Sequence, residues 1–247
     1  MKRKDLGFFI FFVLLLPLKL IGQTVEPSRN VKRNNLQLEF ETTYSVENES
    51  VNKTTSWNIP NILIRYGVSD NIELQLHTPF TKVRCFENGQ LTSNIFEFKE
   101  MEFGVSVNLW KQNKLLPETA IMARIVSSTQ EINTGALGNI VSLNFSNAIS
   151  NKMSFNYNIG TTTDIDKNTY WFYVMNISYE LNSKTHFFVE NTGMFNENTE
   201  SNCLGTGFGF NFSSSFAIDF SIANSLNNKM FYAGAIVTWV INTNKKV

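Results

Sequence analysis

Seven charged residues stand inside otherwise apolar, alternating runs of this chain: Arg65, Glu73, Glu102, Arg124, Glu180, Glu190 and Asp219. Charge on one side of a run whose other side is apolar suits a strand between two solvents, lipid outside and a polar lumen inside. Such a set can order a solute or set ion selectivity along a pathway. It can also pair internally and brace a narrow wall. Arg65 and Glu73 are the leading pair, because a tight Ser69-Asp70-Asn71 turn between them brings two neighbouring strands together.

Other chemistry finds little support. A nucleophilic serine needs a histidine that a third polar group orients. Only His77 and His186 occur, neither with a closely spaced Ser partner, so no catalysis is expected. Two separated His and two separated Cys, Cys85 and Cys203, give no metal-ligand spacing, and no cofactor is implied. A single bridge between the two Cys remains open. Gly205-x-Gly207-x-Gly209 lies within an alternating strand, not at a strand–helix junction, so it is no phosphate loop. Its expected role is to make room on the lumen wall for large side chains, or to let the strand bend. With 21 acidic and 21 basic residues, nothing suggests a nucleic-acid surface.

The elements that must position the charges alternate with a period of two. Pro60–Leu74 shows the unit: two alternating runs meeting at the turn. Twelve strands of about ten residues are expected between Leu36 and Ile241. Long polar loops (48–56, 82–97, 129–138, 163–168, 196–202, 224–229) alternate with short links (69–71, 111–116, 150–152, 182–184, 213–215). That rhythm matches an all-β, closed antiparallel transmembrane barrel with long extracellular loops and short periplasmic turns. Closure satisfies every backbone group in lipid, which an open sheet cannot do. A secreted sandwich also alternates, but it would not set a Phe-rich face on nearly every strand. Trp57, Tyr66, Trp110, Tyr170, Tyr179 and Trp239 fall near strand ends, where an aromatic girdle belongs.

The first residues read as an address. Lys2, Arg3 and Lys4 precede an apolar run from Leu6 to Leu16, and Leu20-Ile21-Gly22 forms a cleavage site. The expected organisation is a signal peptide at 1–22, a polar, mobile periplasmic lead-in at 23–35, the barrel at 36–241 and a tail at 242–247.

At Arg65-Tyr66-Gly67-Val68-Ser69-Asp70-Asn71-Ile72-Glu73-Leu74 the chain resembles the outer-membrane barrels named for the meta-pathway of phenol degradation. Further similarity lies in Glu102-Phe103-Gly104, in Pro117 opening a strand, in Phe188-Val189-Glu190 and in Ala217-Ile218-Asp219-Phe220-Ser221. The chain departs from the pattern at Ser106-Val107 and at Val126-Ser127-Ser128-Thr129. The resemblance implies a porin-like or transporter-like role in the bacterial outer membrane, for small, aromatic or hydrophobic solutes. Lipid and a small solute of unknown identity would be its partners. The competing expectation is a plugged barrel whose long loops, Lys82–Phe98 above all, act as a surface adhesin or structural element.

Overall fold

A computed structural model describes residues 25–49, 52–98, 100–128, 137–197, 200–227 and 229–244. The expected signal peptide, most of the 129–138 loop and the end of the tail lie outside the described residues. Alternation along the sequence becomes strand after strand: β1 (Asn35–Glu49), β2 (Asn52–Gly67), β3 (Ile72–Glu87), β4 (Gln90–Glu97), β5 (Glu100–Trp110), β6 (Glu118–Ser128) and β7 (Leu137–Ala148). The chain continues through β8 (Met153–Thr163), β9 (Thr169–Asn182), β10 (Thr185–Phe195), β11 (Glu200–Ser213), β12 (Phe216–Ser225) and β13 (Met230–Asn242).

Each strand pairs antiparallel with its neighbour in sequence, save β4 and β5. β1 closes the cylinder on β13, in register from Asn35↔Asn242 to Glu47↔Met230. β3 serves two partners. Its first half, Ile72–His77, pairs with β5, and its second half, Thr81–Glu87, pairs with β4. Twelve strands therefore form the closed barrel, and β4 is an added flap beside the rising end of β3.

The wall is inside-out relative to a soluble protein. Glu73 is fully buried while Leu74 beside it is 52% exposed. Along β6 the residues Ala120, Met122, Arg124 and Val126 are buried, while Ile121 and Ile125 are exposed. Lipid covers such an apolar outer face in a membrane, and backbone pairing around the ring leaves no unsatisfied edge at that depth.

Two stretches differ from expectation. The 82–97 loop is a hairpin, because Asn88 and Gly89 both adopt positive φ, 51° and 81°, and reverse the chain in two residues. An Asn-Gly pair favours this turn since glycine meets no Cβ penalty there and asparagine tolerates the left-handed region. Likewise β1 and β2 run on to Glu49 and from Asn52, so the 48–56 loop shrinks to the two residues between them. The wall is consequently tallest at β1–β4.

On β11 the glycine row does make room on the lumen wall. Phe188 of β10 is 1% exposed and lies over Gly207, where a Cβ would stand 2.3 Å from its ring and from the Phe220 carbonyl oxygen. Replacing Gly207 with Val should therefore overpack the wall, costing about 1–3 kcal/mol. A lowered temperature for loss of the compact, heat-modifiable gel band would show it; an unchanged temperature would mean that Phe188 swings clear without cost.

Candidate functional site: the charged lumen

The β2–β3 hairpin sets Arg65 and Glu73 on the lumen face of adjacent strands. Arg65 donates through Nε and Nη2 to Glu73 Oε1, at 2.9 and 2.7 Å. Gln75 lies two residues beyond Glu73, on the same face because side chains alternate. Its Nε2 donates to that same carboxylate oxygen at 2.7 Å. From the other side, Arg124 Nε donates to Gln75 Oε1 at 2.8 Å. Arg124 Nη1 reaches Glu102 Oε2 at 3.2 Å, and Nη2 pairs with Glu26. Gln75 thus joins two guanidinium centres into one lattice spanning β2, β3, β5 and β6.

Further acids and a histidine crowd round it. Arg65 Nη1 stands 3.4 Å from Glu39 Oε1. His77 Nδ1 lies 3.0 Å from Glu102 Oε2, close but off the line a hydrogen bond needs. Glu41 accepts from Asn61 Nδ2 at 2.7 Å. Around this lattice the carboxylates of Glu26, Glu39, Glu41, Glu73 and Glu102 face the guanidiniums of Arg65 and Arg124, so the middle of the lumen is acidic. A cavity of about 210 Å³ opens there between Glu39, Glu41, Arg65 and Arg124.

Of the seven residues singled out in the sequence, four meet here: Arg65, Glu73, Glu102 and Arg124. The other three stand apart. Glu190 is buried on the far wall and accepts from Asn176 Nδ2 at 3.0 Å. Asp219 Oδ1 lies 2.9 Å from His186 Nε2, again off the hydrogen-bond line. Glu180 is exposed near the turn-side rim, facing the same vestibule as His186 and Asp219. The set of lumen charges singled out in the sequence omits Glu39, Gln75 and His77, although the period of two from Glu41 and Glu73 places them on the lumen face. Cys85 and Cys203 are free and lie within strands β3 and β11.

The segment before β1 departs from the expected mobile lead-in. Over its described residues it runs inside the barrel, pinned along β3, β5, β6 and β8. Asn34 N–H bonds to the Gly67 carbonyl at the rim, and Val31 N–H reaches Glu73 Oε2 at 2.6 Å. Near the turn-side mouth, Asn30 Nδ2 donates to the Asn71 and Ser106 carbonyls at 2.6 and 3.0 Å, and Asn108 Nδ2 to the Ser28 carbonyl at 2.8 Å. Asn158 then clamps Glu26, accepting from its N–H at 2.7 Å and donating to its carbonyl at 2.9 Å. No hydrophobic period announces this strap. Its partners are polar groups brought together only by closure.

A closed twelve-strand cylinder, apolar outside and charged within, defines the class of outer-membrane β-barrel. The chain matches the family described as MetA-pathway of phenol degradation over residues 22–245, and it belongs to that family. A search of curated protein sequences finds no match. Among solved structures it is similar to an outer membrane channel from Pseudomonas putida F1 (TM-score 0.66, 12% identity, 88% of this chain and 100% of that one). It is also similar to the KdgM porin in complex with oligogalacturonate (TM-score 0.55, 9% identity, covering 82% and 98%). The transport unit of the autotransporter AIDA-I from Escherichia coli shares the barrel too (TM-score 0.51, 9% identity, covering 97% and 99%). The fold is therefore common to porins and autotransporter units, and the lumen must decide between functions.

Removing Arg124 strands Glu26, Glu102 and Gln75 in a buried setting, so Arg124→Ala should destabilise the barrel by about 3–5 kcal/mol. Glu180→Gln, at the exposed rim, should change stability by less than about 0.5 kcal/mol. Urea unfolding followed by tryptophan fluorescence would compare them; equal midpoints would remove the lattice from any bracing role.

Proposed function

We propose that this protein is a porin-like channel of the bacterial outer membrane, exported by a cleaved signal peptide, that passes small solutes through its lumen without chemistry on them. The observation that carries this reading is three separate spaces within the barrel. A turn-side vestibule of about 630 Å³ lies between Lys152, Glu180, His186 and Asp219. The acidic middle cavity follows, beside the strap. Above it a chamber of about 360 Å³ reaches across the lumen from Glu41, Thr43 and Asn58 to Phe172, Val174, Met194, Cys203 and Tyr232.

That upper chamber supports the narrower reading, an aromatic or hydrophobic solute. One wall is apolar and aromatic, and the other offers a carboxylate, a hydroxyl and an amide. Sites for small molecules commonly combine an apolar lining with a few placed polar groups. A flat, apolar solute carrying one donor would bury its ring against Phe172 and Met194 and turn its donor to Glu41.

The strap favours a second reading, a barrel that is shut until Val25–Val31 moves. Planar-bilayer recordings separate the two. The intact protein should show discrete cation-preferring steps, because carboxylates exceed guanidiniums along the path. Phenols or aromatic acids should reduce the steps from one side, and Glu41→Gln should weaken the cation preference. If the intact folded protein is silent and a variant lacking residues 25–31 conducts, the strap is the closed state. Silence in both would overturn the channel reading and leave a structural barrel.

A further inference from the structure

The flap at β2–β3–β4 sorts its charges by face. Glu47, Glu87 and Glu97 take lumen-side positions, by register with Thr54, Asn52 and Thr81. Lys53, Lys82 and Arg84 take the outward positions, by register with Phe86, Trp57 and Thr55. The outward face is thus uniformly basic. Lys82 and Arg84 have no ion pair among the described residues, and they border a cavity of about 400 Å³ with Trp57, Ile59 and Phe96.

The height of this patch fixes its surroundings. From Tyr66 at the turn side up to Trp57, β2 climbs about 23 Å at the usual strand tilt, the height of a barrel's apolar band. Ile64, Ile62 and Ile59 face outward over that climb. An aromatic collar then follows at one level: Tyr44 and Trp57 with ring centroids 4.5 Å apart, and Phe80 stacked on Phe98 at 4.7 Å. Lys82 is the register partner of both Trp57 and Phe96, with Arg84 one pleat above it, about 7 Å further along the strand. Two unpaired cations therefore stand at the lip of the collar, where the hydrocarbon ends and headgroups begin.

We infer that Lys82 and Arg84 form a binding site for a phosphate group on a glycolipid of the surrounding outer leaflet. Acyl chains would lie against Ile59 and Phe96 below, and the phosphate would sit between the ammonium and the guanidinium. Arginine can meet a phosphate through two parallel N–H bonds and lysine adds a point charge. A soluble acidic protein is the poorer match, since the patch is continuous below with lipid-facing apolar surface. The inference rests on the membrane placement of the barrel and is independent of what crosses the lumen.

Native mass spectrometry of the full chain in detergent tests it, with a synthetic bis-phosphorylated disaccharide lipid and its dephosphorylated counterpart as probes. The phosphorylated lipid should bind at least about tenfold more tightly, and the Lys82→Gln, Arg84→Gln double variant should remove that preference. Lys152→Gln, at the turn side, should leave it unchanged. The heat-modifiable band of each variant establishes that the barrel has folded. Should the double variant not fold, the single Lys82→Gln and Arg84→Gln variants carry the same comparison. Equal affinity for the two lipids, or a preference that survives the substitutions, would overturn the site. So would displacement of the lipid by millimolar inorganic phosphate, which would mark a general anion site instead.

Discussion

A backbone amide inside a bilayer has no water to bond with, and everything else in this molecule follows from that constraint. Ordinary sheets leave an edge; here β1 is laid along β13 from Asn35 to Glu47, and no edge remains at membrane depth. Closure fixes the inside-out pattern, in which Leu74 faces lipid and Glu73 is buried against Arg65, Gln75 and the Val31 amide. The free edge of β4 is permitted only because it lies above the band where lipid would surround it.

The same closure makes the lumen an electrostatic problem. Charges placed inward by alternation must find partners on neighbouring strands, and Gln75 shows how closely that is arranged. It is neutral, yet it donates to Glu73 and accepts from Arg124, so it carries polarisation between two ion pairs that do not touch. The lattice stiffens one side of the wall, at β2–β6. The opposite side, at β9–β13, is lined by Phe172, Met194 and Tyr232 and keeps open space. One half of the barrel is braced and the other is available.

The amount legible in the sequence tracks how local each signal is. Strand period, turn chemistry and the Arg65–Glu73 hairpin are encoded within a few residues, and all three appear in the structure. The β3–β4 hairpin was equally local, since Asn88-Gly89 between alternating runs is a strong turn signal, but the surrounding polarity of 82–97 suggested a loop. Parity puts Glu180 on the charged side of its strand, yet parity says nothing of height, and the structure leaves it exposed at the rim. The strap was beyond local reading altogether. Asn158, Asn108 and Glu73 come from different strands, and only the ring brings them to Val25–Val31.

How the strap is held bears on how freely its residues can drift. Asn158 grips the main chain of Glu26, Asn108 the carbonyl of Ser28, and Glu73 the amide of Val31. Those grips hold main-chain atoms; among the described strap residues Glu26, Arg29 and Asn30 add polar side-chain contacts, and the side chains of Val25, Ser28 and Val31 are buried. The grips on main-chain atoms set the strap's path, while the burial of Val25, Ser28, Asn30 and Val31 limits what can stand at those positions and leaves Pro27 and Arg29 exposed. Change in the strap is thereby steered to its two exposed positions, with the buried ones and the cylinder around them left as they are.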